Sequence, residues 1–213
     1  MIDIEVISNR IADKIAEEIK ADNEKKEVIA YGIFGIIQTL LSILLVVIFG
    51  IIFNVLIEGL MMSFSTGILR KYSGGVHASN SKTCMIIGTF NCTIVPIVIK
   101  YLPLTLKMII ITGIFTFILA YFLIFKLAPV DSIKKPIKSI KKKKILKKKS
   151  IVVLTFYLTL VCIFIFNYYN LLNKNMLIYC ICIYAGIMWQ VFSITKVGYI
   201  VLGKIDSFFN KFI

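Results

Sequence analysis

Apolar residues recur at Ile4, Ile7, Ile11, Ile15 and Ile19, with Asp3, Arg10, Asp13, Lys14, Glu17 and Glu18 between them. That spacing predicts an amphipathic helix over residues 2–22. Its many charges suit a helix lying flat in a membrane interface rather than crossing it, although packing on a cytosolic partner or loop would use the same pattern. From Val28 to Leu69 the pattern changes, and Glu58 is the single full charge in forty-two residues. One helix of that length would reach about 63 Å, roughly twice the hydrocarbon thickness of a bilayer. Two spans, 28–48 and 52–69, are therefore predicted, with a turn between Phe49-Gly50 and Asn54.

Four further apolar runs predict spans at 85–99, 108–125, 151–172 and 176–195. Lys100-Tyr101-Leu102-Pro103 separates the first two of these, since proline does not continue a regular helix. A basic stretch over 126–150 and the turn Asn173-Lys174-Asn175 mark the other breaks. In the tail from Lys196, residues Ile205, Phe208, Phe209 and Phe212 share a helical face and predict a second interfacial helix. The predicted fold class is an all-α polytopic membrane protein, with about six transmembrane helices and an amphipathic N-terminal interfacial helix. We read residues 1–213 as one integral-membrane domain. A β-barrel would alternate apolar and polar residues over short segments, which these runs do not.

Composition agrees: hydrophobic residues are 59% of the chain, against roughly 45–50% in soluble domains. The N-terminus opens with charged amphipathic sequence, not the basic segment and apolar core of a cleaved signal peptide. The net charge of +14 is unevenly placed, with eight of eleven acidic residues in the first 27 positions and ten lysines between Lys134 and Lys149. Setting membrane orientation, contacting anionic lipid or binding an acidic partner explains so short a basic block better than a nucleic acid does. Six spans put both termini on one side, together with the loops at 70–84 and 126–150. The other side keeps only Lys100, Lys107 and Lys174, so the basic side is expected to be cytoplasmic. A single tilted span over 28–57 would reverse this, against the charge balance.

Within that frame the stretch from Arg70 to Cys84 stands out as polar and glycine-containing, and it holds the chain's single histidine, His77. A group that titrates near neutrality and a nucleophilic thiol thus share one segment. On an unbroken helix the seven-residue step from His77 to Cys84 would separate them by about 10.5 Å along the axis. Direct contact would require Gly74-Gly75 and Ala78-Ser79 to fold the histidine back, or a meeting across a turn. Ser79 or Ser81 suits the N-cap of the third span. With Ser81 there, Cys84 falls in the first turn, beside unpaired backbone N–H groups that could bind an oxyanion. A snorkelling loop with an incidental histidine and cysteine remains an equal alternative from the residues alone. A metal site would need ligands beyond this pair, with Asp131 or Glu58 called on to complete it. Cys92, Cys162, Cys180 and Cys182 lie in apolar runs and read as packing residues.

Arg70-Lys71-Tyr72-Ser73-Gly74-Gly75-Val76-His77-Ala78, with Cys84 seven residues after the histidine, resembles the signature of the accessory gene regulator B (AgrB) family. Ala128-Pro129-Val130-Asp131, followed by Lys135-Pro136, is similar to that family's second motif, and the resemblance covers essentially the whole chain. It implies a membrane cysteine endopeptidase of Gram-positive bacteria, multi-pass in the cell membrane, acting on a short quorum-sensing propeptide with an amphipathic leader and an acidic C-terminal tail. Cys84 would be the nucleophile and His77 its base, with a thioester acyl-enzyme resolved by cyclisation to a thiolactone or lactone. Within that resemblance Arg70, Gly74, Gly75, Asp131, Lys134 and Lys135 are supporting or substrate-binding candidates. Arg70 could bind a substrate carboxylate or orient the loop, or serve as an interfacial anchor. Asp131 could orient His77, or cap and pair with lysines. No cofactor, metal or nucleic acid is implied, and monomer and homodimer both stay open. A membrane transporter or scaffold for a small peptide is the alternative reading, weakened by the sparse charge within the spans.

Overall fold

The computed structural model describes residues 4–75, 81–130 and 139–209, in two compact units over 1–45 and 46–213. Among the described residues it consists of α1 (Ile4–Glu18), α2 (Asn23–Ile52), α3 (Leu56–Ser73), α4 (Ser81–Lys100), α5 (Leu106–Leu127), α6 (Ile140–Leu171), α7 (Asn175–Ser193) and α8 (Lys196–Phe209). The chain is an all-α, multi-pass membrane protein. Helices α2, α4, α5, α6 and α7 are each long and apolar enough to cross a bilayer. Helix α3 is only 18 residues long and carries Glu58, Arg70 and Lys71, so its apolar character alone does not mark it as a span. It packs among α4, α6 and α7.

In the first unit, α1 buries Ile4, Ser8, Ala12 and Ala16, while Ile7, Ile11, Ile15 and Ile19 stay exposed. The small residues make the protein contact and the isoleucine stripe is left for an apolar surrounding, as an interfacial helix requires. Lys26 pairs with Asp13 at 2.6 Å. Asp22 caps the start of α2 by accepting from the Lys25 N–H at 2.8 Å, which is why that helix begins ahead of its apolar run.

The long apolar stretch breaks after Ile52, where Asn54 adopts a left-handed φ of 55°. Beyond it, α7 runs parallel to α3 and is the most enclosed helix, with Leu177, Cys180, Ile183, Tyr184, Ile187 and Val191 in the main core. Close approach replaces side-chain bulk where the two meet: a Cβ at Gly186 would stand 2.6 Å from the Met62 carbonyl oxygen. Thr66 Oγ1 donates to the Gly186 carbonyl at 3.1 Å. Small residues that let backbones approach are the usual means of joining helices in lipid, where burial of apolar surface gives little drive. Helix α6 is antiparallel to α3, fastened by the Tyr157 hydroxyl donating to the Phe64 carbonyl at 2.8 Å.

The basic stretch read from the sequence as a loop over 126–150 is helical from Ile140 onward. Ser139 caps it, its side chain accepting from the Lys142 N–H at 3.4 Å. Lysine is a good helix former, so the charges mark where α6 leaves the apolar layer rather than where the helix stops. Lys147 lies over the Phe125 ring and Lys149 over the Tyr72 ring, contacts that hold this extension against the bundle.

Candidate functional site

The ends of α3, α5 and α7 and the beginnings of α4 and α6 meet at one end of the second unit. Helix α3 closes on Gly74, whose N–H donates to the Arg70 carbonyl at 3.0 Å. Gly74 and Gly75 take φ values of 69° and 133°, the left-handed region open to glycine at little cost. Gly74 lies in a parallel backbone pairing with Val130, and the Val130 N–H donates to the Ser73 carbonyl at 2.9 Å. A Cβ on Gly74 would collide with the Val130 carbonyl oxygen. The two sequence motifs, one after α3 and one after α5, are thereby brought into direct backbone contact.

The third element of the site comes from α7. Gln190 is fully buried, and its Nε2–H group donates to the Gly74 carbonyl at 2.7 Å and to Ser73 Oγ at 2.9 Å. The carbonyl can only accept, so it fixes which end of the carboxamide faces it. Ser193 Oγ donates to the Gln190 carbonyl at 2.7 Å, and a Cβ on Gly75 would stand 2.7 Å from that hydroxyl oxygen. The sequence reading passed over Gln190 and Ser193. The signal was nonetheless present, because a carboxamide in an apolar run is costly unless something in the fold satisfies it.

Cys84 is a free, half-buried thiol four residues into α4, so it lies in the helix's first turn. Ser81 is itself helical, and Ser79 lies outside the described residues. Backbone N–H groups at such an end have no intrahelical acceptor and favour negative charge. Arg70, in the last turn of α3, lies within electrostatic range of Cys84. Among the expected site residues, the structure therefore gathers Arg70, Gly74, Gly75 and Cys84 at one end of the bundle. His77, Asp131, Lys134 and Lys135 lie outside the described residues. Glu58 is at the other end of α3, paired with Lys100 of α4 at 3.3 Å. Among the described residues no three His, Cys, Asp or Glu side chains converge as metal ligands would.

Residues 8–194 match the model of the family described as Accessory gene regulator B. A protein named AgrB-like in Clostridium perfringens strain SM101 is 42% identical over 214 residues, covering 98% of this chain and 99% of its own. An AgrB-like protein of Listeria monocytogenes serotype 4a is 28% identical over 148 residues, covering 68% of this chain and 71% of its own. No solved structure matches the chain. A family match across nearly the full length, and a relative that aligns from end to end, establish that the chain belongs to the accessory gene regulator B family.

Proposed function

We propose that this protein is a membrane-embedded cysteine endopeptidase that removes the C-terminal tail of a short autoinducing-peptide precursor and promotes its cyclisation. Family membership supports a role in autoinducing-peptide processing. The observation that carries the finer reading is the position of Cys84, in the first turn of α4 and within electrostatic range of Arg70.

In this mechanism His77 takes the proton from the Cys84 thiol, and the thiolate attacks the carbonyl carbon preceding the tail. Backbone N–H groups of the first turn of α4 hold the resulting oxyanion. The C–N bond breaks, the tail leaves as an amine carrying the proton from His77, and the precursor remains as a thioester on Cys84. A cysteine thiolate within the precursor attacks that thioester, closes a thiolactone and releases the Cys84 thiolate. A serine hydroxyl, losing its proton, would close a lactone instead. Thioester exchange conserves the activation of the cleaved bond, and a site that excludes water favours it over hydrolysis.

The lysines of α6 offer an acidic tail a docking surface beside Tyr72, two residues from Gly74. The same lysines would contact anionic lipid and hold the catalytic end at the cytoplasmic face. Asp131, Lys134 and Lys135 follow the backbone pairing of Gly74 with Val130 in the chain, which supports a role for them near the same end.

The test is co-expression with a short propeptide that has an amphipathic leader, an internal cysteine and an acidic tail. Wild type should release the tail, whereas Cys84→Ala and His77→Ala should not. A Cys84→Ala protein that still cleaves the precursor would rule the peptidase reading out. Mass-spectrometric capture of a precursor fragment on Cys84 would establish the acyl-enzyme.

A further inference from the structure

Ser73, Gly74 and Gly75 are gripped from outside their own helix. Three observations meet on one residue. Gln190 has no solvent exposure, and its amide nitrogen is within hydrogen-bond distance of both the Gly74 carbonyl and Ser73 Oγ. The backbone at Gly75 passes so near that a Cβ there would lie 3.3 Å from Gln190 Nε2. Ser193 braces the backbone of Gln190 from one turn further along α7.

We infer that Gln190 is a positioning residue for the Cys84 site, its buried carboxamide setting the direction in which the chain leaves α3. Eight residues separate Gly75 from Cys84, and His77 is the second of them. The orientation of the peptide unit at Gly74 is therefore the starting condition for any approach of base to nucleophile. A carboxamide is suited to this because it offers two N–H donors from one nitrogen, one for the carbonyl and one for the hydroxyl. In an apolar interior, losing that donor leaves the Gly74 carbonyl only the longer contact from Ser73 Oγ at 3.3 Å, within its own turn. The inference rests on the peptidase reading above.

The test uses the full-length protein in lipid nanodiscs, with the same propeptide as probe, and compares Gln190→Met with Gln190→His. Methionine keeps the length and loses the donor. Histidine places an N–H at a similar distance from the backbone. We expect Gln190→Met to lower kcat at least tenfold with KM changed less than threefold, and Gln190→His to recover a large part of that loss. The rate of iodoacetamide alkylation at Cys84, read by peptide mapping, should shift at least threefold in Gln190→Met and move back in Gln190→His. A Gln190→Met protein with kcat within twofold of wild type overturns the inference. So does an equal loss in both variants accompanied by equal lowering of the melting temperature, which would make Gln190 a packing residue. Cys84→Ala runs alongside: cleavage that survives it defeats the peptidase reading itself, a result distinct from either failure of Gln190.

Discussion

Glu58 and Lys100 form an ion pair at 3.3 Å, joining the start of α3 to the end of α4. Lys100 Nζ also donates to the Asn54 carbonyl in the turn before α3. The carboxylate is 8% exposed and the lysine 33%, so the pair is neither a surface contact nor fully enclosed. Lys100→Met should leave a buried charge without its partner and destabilise the protein by about 1–3 kcal/mol, between the costs for exposed and buried pairs. Glu58→Gln combined with Lys100→Met should recover much of that loss. Thermal unfolding in detergent, followed for both variants, checks the difference. Equal stability of the single and double variants would show that the pair carries no coupling.

Gly74→Ala and Gly75→Ala should each reduce precursor processing at least tenfold. Each combines a positive-φ backbone, costing an L-residue about 1–3 kcal/mol, with a steric conflict against Val130 or Ser193. Gly67→Ala is the control, since a Cβ there meets nothing within 4 Å in the middle of α3. It should be neutral or stabilise by up to about 1 kcal/mol. Propeptide cleavage and melting temperature, measured on the same preparations, separate the effects.

Replacing Lys147, Lys148 and Lys149 together by Gln should raise KM several-fold for a propeptide with an acidic tail. Exposed charge pairs are screened by salt, so wild-type processing should weaken between low and physiological ionic strength and the triple variant should respond less. Cleavage assays across a salt series read both. Processing that ignores the substitutions and the salt would leave these lysines with membrane orientation alone.

Tyr157→Phe should cost about 0.5–1.5 kcal/mol through loss of the hydrogen bond to the Phe64 carbonyl, the size expected for one such bond. Its ring packs in the core and remains in place, so the loss should appear in thermal unfolding without a change in KM.

Glycine, proline and asparagine show where the apolar stretches end, and the helices follow those breaks closely. The first motif announced Gly74, Gly75 and Cys84 as candidates because polar chemistry is conspicuous in so apolar a chain. Gln190 is a single letter in a run of apolar ones, and its partner Gly74 lies 116 positions away. Nothing in hydropathy connects two positions so far apart. From Ile140 the basic stretch is helix where its charge reads as loop, for a related reason: charge reports where a helix meets water, whereas backbone propensity reports where it ends.

The sequence by itself determined that the chain is helical, that it belongs in a membrane and that one polar segment with a histidine and a cysteine interrupts it. Those properties follow from local composition and periodicity, which act on each segment separately. Which helix faces which was decided only by the tertiary structure. Lipid and protein interior are equally apolar, so an apolar helix carries no label for its protein-facing side beyond small residues and rare polar ones. Gly186 against Met62, Glu58 against Lys100 and Gln190 against Gly74 are such contacts. The last of them turns a pair of permissive glycines into a defined departure point for the segment that leads to Cys84.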